Sequence, residues 1–261
     1  VTYEQVPNTG NEEYRDAWVK SMLEHYRGDD ADAQLRLLDV GAGRSPYRQT
    51  AIELGCHYRS QDFAQYVPSG DSPGLQDASW DYPQHTFVCD ITEIPLEATS
   101  DVILCTEVLE HVPDSVRAFE RMAQLLTPGG RMIVSVPLMS LMHQAPYWFQ
   151  AGLSPFWFEH WAEQNGLDIE VLSVYGDYAD LMTQEAGRLL GYAPRIKGLH
   201  RLGVAGVKRL RSRLPKAYST RVDSAPCSSA ARGRSRRRLA RPRKNTAFRL
   251  GCPRASQKKR S

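Results

Sequence analysis

The chain has 261 residues, 41% hydrophobic and 24% charged, enough for one α/β domain with additions and ordinary for a globular protein. Its net charge of +3 conceals a division: residues 1–194 carry eleven Lys and Arg against 29 Asp and Glu, and the remainder carries 22 basic residues and one acid. No run approaches the 18 or so apolar residues of a membrane span, no basic and apolar signal pattern opens the chain, and five scattered cysteines without a CxxC pair argue against a disulfide framework or structural zinc and for a reducing, cytoplasmic setting.

Residues 1–28 predict an N-terminal helix, because Tyr14, Trp18 and Met22 recur at helical spacing with charges between them. Such a helix would pack on the main domain or cover its ligand. The core, residues 29–178, opens with a strand over 35–39 that ends in Asp39 and runs at once into Gly41-Ala42-Gly43. Glycines there free the backbone for positive φ and let a ligand approach the main chain. The amides opening the next helix would face that ligand, a favourable place for a carboxylate or phosphate. A second strand, 56–60, leads to Asp62, about twenty residues past the glycines. At that distance an acid meets the ribose hydroxyls in nucleotide-binding βαβ units; the alternative for Asp62 is a solvated loop carboxylate.

Residues 65–85 are rich in Gly, Pro, Ser and Asp and carry Tyr66, Trp80 and Tyr82, a long irregular connection of the kind that often has a function. A third strand, 86–89, ends at Asp90-Ile91, which can present a carboxylate to an adenine amino group and an apolar side chain to its ring, or can cap the next turn. The run DVILC over 101–105 is β-branched and continuous, as buried parallel strands are. It leads into Thr106-Glu107-Val108-Leu109-Glu110-His111. Pro113 and Asp114 then start a helix with Val116, Phe119, Met122, Ala123 and Leu126 on one face, stopped by Thr127-Pro128-Gly129-Gly130 before a buried strand over 132–137. Strands alternating with amphipathic helices predict an α/β fold: a doubly wound, mostly parallel sheet with helices on both faces.

The stretch 138–159 is dense in aromatic residues around His143 and Tyr147. A helix over 154–166 and a strand over 168–175 follow. Residues 179–218 predict accessory basic helices, of which 196–214 could pack on the body or lie on an anionic membrane or nucleic acid. Residues 219–261, with RGRSRRRLARPRKN and no apolar periodicity, predict a disordered basic tail, or one translated from a shifted reading frame. Such a tail can bind phosphates, but no base-stacking module accompanies it.

LLDVGAGRSPYR, Asp62, CDI at 89–91, CTEVLEHVPD and LLTPGG followed by RMIVSVP together resemble the successive motifs of the class I S-adenosylmethionine-dependent methyltransferases of the type 11 family, over residues 30–177. One departure is Ser45, where a third glycine is common. The resemblance implies a Rossmann-like sheet whose final strand is antiparallel, although no convincing candidate for that strand is present. It implies that Asp39, Gly41, Ala42 and Gly43 hold the methionine end of S-adenosylmethionine, Asp62 the ribose, Asp90 and Ile91 the adenine, and that Thr106 and Glu107 line the floor near the sulfonium. His143 and Tyr147 become candidates for acceptor binding or proton removal, with a packed loop as the alternative; His111 suits a structural role in its turn. No metal is required for methyl transfer, and the linear sequence shows no metal-ligand cluster. The expected activity is methyl transfer to a hydroxyl or amine of a small molecule or glycan precursor. The rivals are a nucleic-acid methyltransferase using the tail and a non-catalytic cofactor-binding protein.

Overall fold

A computed structural model describes residues 3–6, 11–27, 34–72, 74–77, 79–175 and 244–248, with isolated positions at 181, 182, 185 and 206. Four apolar runs form strands close to their expected bounds, β2 (Arg36–Val40), β3 (His57–Asp62), β4 (Phe87–Val88) and β5 (Ser100–Thr106), whereas β6 (Leu126–Ser135) begins six residues before its expected start and takes in the Thr127–Gly130 segment expected to separate it from the helix. A short strand, β1 (Tyr3–Val6), precedes them, and the expected strand over 168–175 is split into β7 (Leu167–Ile169) and β8 (Leu172–Tyr175). Helices α1 (Asn11–Arg27), α2 (Arg48–Glu53), α3 (Ser115–Leu125) and α4 (Pro155–Gln164), three single 3-10 turns (Ile91–Glu93, Leu96–Ala98 and Leu109–His111) and a ninth strand, β9 (Lys244–Phe248), complete the described elements. The chain is thus a Rossmann-like parallel sheet with flanking helices.

The main sheet has the order β4-β3-β2-β5-β6-β9-β7, with every pairing parallel. Successive side chains along a strand point to opposite faces, and two cores result. Leu37, Val102, Leu104 and Ile133 pack with Trp18, Val19 and Leu23 of α1 and Ala51 of α2. On the other face Leu38, Val40, Ile103, Cys105, Met132 and Val134 meet Phe119 and Met122 of α3 and Phe158 of α4. Helix α1 is therefore an integral layer of the domain. Helix α3 starts where Asp114 accepts a hydrogen bond from the Arg117 amide at 3.0 Å, an N-cap that satisfies a free helix donor.

Two expectations change. Residues 244–248, expected to lack regular structure with the rest of the tail, form β9 and fill the slot between β6 and β7; the remainder of 219–261 lies outside the described residues. The strand in that slot is also parallel to both neighbours, where the family resemblance implied an antiparallel one. Side-chain pattern did not announce it because pairing here is a backbone matter: the facing edges of β6 and β7 offer unpaired N–H and C=O groups that any short segment without proline can bond. Strand β8 leaves the main sheet and pairs with β1 in a separate two-stranded parallel sheet. Apart from the isolated positions, the predicted helices over 178–192 and 196–214 lie outside the described residues.

From β2 the chain moves outward to β3 and β4, then returns to place β5 on the other side of β2. The connections after β2 and β5 therefore leave a crevice at the carboxyl ends of adjacent strands, where parallel sheets of this kind bind ligands.

Because Trp18 is 2% exposed within one of the two cores, Trp18→Ala is expected to cost about 3–5 kcal/mol of stability. Urea unfolding of both proteins measures this; a difference below about 1 kcal/mol would mean that α1 sits off the core.

Candidate functional site

The crevice is lined first by the turn after β2. Gly41 and Gly43 take φ of +65° and +51°, and Ser45 takes +55°. The turn is pinned to the end of β3: the Gly41 amide donates to the Gln61 side-chain oxygen at 3.1 Å, and the Gly43 amide to Asp62 Oδ2 at 2.8 Å. Asp62 Oδ1 accepts from the Ala64 amide at 2.8 Å. Two of the roughly four lone-pair positions of this carboxylate are thus used, which leaves capacity for a pair of hydroxyls.

Asp39, buried at the end of β2, accepts from the Tyr58 hydroxyl at 2.7 Å. Burial pushes its carboxyl up to about 7; the Tyr58 bond opposes that shift, and the nearby charge of Asp62 adds to it. Across the crevice Glu107, also at positive φ (+54°), accepts from Ser135 Oγ at 2.8 Å. Glu110 is 1% exposed, and burial together with Glu107 holds its carboxyl well above the usual range. Arg15, delivered by α1, donates to the Tyr47 hydroxyl at 3.2 Å and lies in the field of both Glu107 and Glu110. Carboxyl groups are thereby gathered around the glycine turn, two of them held partly or wholly in the neutral form by burial.

The other residues singled out in the sequence fall differently. Thr106 ends β5 beside Glu107. Asp90 is exposed and caps the following turn, its Oδ1 accepting from the Thr92 amide at 2.8 Å and the Thr92 hydroxyl at 2.6 Å. Ile91 is buried in the α3-side core. Against Gly43 stands Trp80, so that an added Cβ would come within 2.9 Å of its ring. The Arg44 guanidinium lies 4.7 Å from the Trp80 ring centroid, and Tyr66 and Tyr82 flank the same indole.

The loop after β6 closes on itself through Leu153 N to Pro137 O (3.1 Å) and Ser140 N to Ala151 O (2.6 Å). It is fastened to the β5 connection by the Phe149 and Gln150 amides, which donate to the Glu110 carbonyl at 3.0 and 3.2 Å, and by His111 Nδ1, which donates to the Tyr147 carbonyl. A bridge between Leu75 and His143 ties it to the 65–85 connection. Tyr147 packs edge-on against Phe63 with centroids 4.8 Å apart, and His143 against His111 at 4.7 Å. The fold therefore gathers His143 and Tyr147 beside the connections that follow β3 and β5. Burial pulls the His111 imidazole down to about 4; His143 pushes the same way, and the Tyr147 carbonyl opposes it.

Several residues of this site were not read from the sequence. Gln61 and Arg15 carry no local signal: one precedes the expected acid in a strand, and the other lies on a helix that the sequence separates from the turn. Glu110 belongs to the quoted motif, but its isolation depends on burial. Where the sequence showed no metal-ligand cluster, the fold brings ligand atoms of Glu110, His111 and His143 within 4.8 Å of one another. Among the described residues no helix is long and apolar enough to cross a membrane.

Comparison with known proteins identifies the family. A family described as methyltransferase domain matches residues 12–174. The ubiquinone biosynthesis O-methyltransferase of Xylella fastidiosa (strain 9a5c) is 35% identical over 102 residues, 38% of this chain and 41% of that protein. The enzyme of the same name from Marinobacter nauticus is 35% identical over 103 residues, 38% and 43% of the two chains. The chain thus spans less than half the length of these curated relatives. Among solved structures, phosphoethanolamine N-methyltransferase 2 of Haemonchus contortus in complex with S-adenosyl-L-methionine is 17% identical, with 74% of this chain and 48% of that one covered at a TM-score of 0.41. With a family match over more than half of its residues, the chain belongs to the methyltransferase-domain family, within the class I S-adenosylmethionine-dependent superfamily.

Proposed function

We propose that this protein transfers a methyl group from S-adenosylmethionine to a hydroxyl or amine of a small molecule, with a glycan precursor among the acceptor classes. The observation that carries this reading is the concentration of carboxylates around the glycine turn, with Asp39 and Asp62 in one another's field and Glu107 and Glu110 facing Arg15. Such a site favours a cationic ligand, and the cofactor carries an ammonium and a sulfonium. Its sulfonium supplies an already activated methyl, so the protein's part is orientation and exclusion of water. Asp39, Gly41, Ala42 and Gly43 would hold the methionine end, Asp62 the ribose, and Thr106 and Glu107 the floor. Ile91 would support the adenine face from within the core, and Asp90 would reach the adenine edge with the carboxylate oxygen it does not use as a cap. His143 and Tyr147 would meet the acceptor. The motif set also supports assignment to the type 11 group, and the O-methyltransferase names of the relatives favour a hydroxyl over an amine.

The direct test is calorimetry with S-adenosylmethionine and S-adenosylhomocysteine, followed by transfer of labelled methyl to a panel of phenols, catechols and amines. Binding with turnover is expected; failure of both cofactor forms to bind overturns the proposal, and binding without turnover across the panel favours the non-catalytic alternative. Because Lys244–Phe248 lies in the sheet, the nucleic-acid alternative is tested by changing Arg234, Arg236, Arg237 and Arg238 to Gln, with the strand left in place. Small-molecule turnover should survive.

Asp62→Asn removes one charge-assisted acceptor and should weaken S-adenosylhomocysteine binding about tenfold to a hundredfold. Unchanged affinity in calorimetry would exclude the ribose role. Asp39 gives a pH signature. Its folded pKa of about 7 lies above its ordinary value of 3.8, so the stability it contributes to the ligand-free protein is lost as pH rises through 7. Asp39→Asn is therefore expected to stabilise the ligand-free protein at pH 8 by about 1–3 kcal/mol, read by urea unfolding. A cationic cofactor favours the ionised carboxylate, so wild-type affinity should rise between pH 6 and 8 and the Asn variant should lose that slope. A flat wild-type profile would sink the assignment.

A further inference from the structure

The connection after β5 and the loop after β6 meet at three side chains that the methyl-transfer site does not require together. Ligand atoms of Glu110, His111 and His143 all lie within 4.8 Å of one another, and His111 Nε2 is 3.8 Å from Glu110 Oε1. Glu110 is 1% exposed, and among the described residues no other residue donates a hydrogen bond to its carboxylate oxygens; its own backbone amide and the field of Arg15 offset only part of the cost of burial. A buried carboxylate so poorly supplied with donors is costly and calls for a cation or a proton at that point. Its neighbour Glu107 is differently placed, with Oε1 engaged by Ser135 Oγ at 2.8 Å.

The imidazoles are set up in a way that suits a metal. A carbonyl can only accept, so His111 Nδ1 must donate its proton to Tyr147 O, and His143 Nδ1 must donate to Leu141 O at 3.0 Å. Those carbonyls select, in each ring, the tautomer whose one lone pair is on Nε2. Backbone carbonyls that orient ligating histidines through the other ring nitrogen are the usual support of protein metal sites.

We propose that Glu110, His111 and His143 form a binding site for a divalent transition metal of the zinc, cobalt or manganese type. Two imidazoles and one carboxylate favour such metals over magnesium, which prefers an all-oxygen shell. Ligand atoms around a tetrahedral ion stand about 3.4 Å apart at bond lengths of about 2.1 Å, so the site closes with a shift of about 1 Å in the exposed loop that carries His143. Three protein ligands leave one position open. The metal would pin the loop after β6 to the connection after β5, and a hydroxyl in the open position would lose its proton more readily. That last role rests on the methyl-transfer reading; occupancy by a metal does not.

The test uses the full, tag-free chain, stripped of metal and dialysed against micromolar zinc, cobalt or magnesium, with bound metal counted by mass spectrometry and cobalt followed by its visible absorption. One equivalent of zinc or cobalt per chain is expected, with at least a tenfold loss of affinity in both Glu110→Gln and His143→Ala. If Glu110→Gln fails to fold, as judged by its thermal melt, His143→Ala on the exposed loop decides alone. Less than a tenth of an equivalent bound to wild type, unchanged binding in the folded variants, or magnesium bound in preference to zinc would each overturn the site. Calorimetry with S-adenosylhomocysteine on the metal-free protein keeps this outcome separate from failure of the methyl-transfer reading.

Discussion

A β-carbon at Gly41 would stand 2.5 Å from both γ-methyls of Val108, and much of the site follows from that closeness. Val108 belongs to the connection after β5 and Gly41 to the turn after β2, so their contact sets how nearly the two lips of the crevice approach. Only a residue without a side chain satisfies both the positive φ and the gap. The same turn is then stapled laterally to β3 through Gln61 and Asp62. Three adjacent strands are held in one arrangement at their carboxyl ends, by one packing contact and two backbone amides.

That arrangement brings acids together in low dielectric, where like charges raise each other's pKa and oppose folding. Asp39 illustrates the tension. The Tyr58 hydroxyl relieves part of the burial cost, but not enough to keep the carboxyl in its ordinary range. Stability alone would favour an amide or an apolar side chain at this point. Retention of a poorly accommodated acid is easier to understand if a positive ligand supplies the missing partner. Arg15 serves the opposite lip, and it arrives there because Trp18, one turn farther along α1, is locked into the core. The N-terminal helix is therefore both a packing layer and a carrier of site charge.

How much of this could be read beforehand depends on the physical signal involved. Strands β2 and β5 were legible because parallel strands buried on both faces are continuous apolar runs, and α3 because its apolar positions repeat at helical spacing. The Asp62 clamp was legible only in outline: spacing put an acid near the glycines, but its bond to the Gly43 amide depends on twist and register. Asp90 shows the ambiguity of a lone acid before a turn, since its Thr92 bonds make it a cap. Strand β9 was illegible, because a ladder of backbone hydrogen bonds needs no side-chain pattern. The gathering of Glu110, His111 and His143 was illegible for another reason. Thirty-two positions separate the two histidines in the chain, and only the parallel neighbours β5 and β6 deliver them to the same end of the sheet.

The division of labour between sheet and loops bears on specificity. The glycine turn and its acids are fixed by the core, whereas the acceptor side is built from connections that hold one another mainly through backbone groups: Leu75 with Met142 and Gln144, Glu110 with Phe149 and Gln150. Backbone bonding of this kind constrains the path of a loop but leaves its side chains free to differ. Leu138, Met139, Leu141 and Phe149 are exposed on that loop, so substitutions there can alter what is bound without disturbing the parallel ladder beneath. Side chains also take part: Gln144 donates to Asp77, Gln150 to Ser115, and the imidazole of His111 holds the Tyr147 carbonyl directly with its ring packed against His143. A change at His111 would therefore be felt along the whole acceptor loop, and a change at Leu141 only where its side chain reaches.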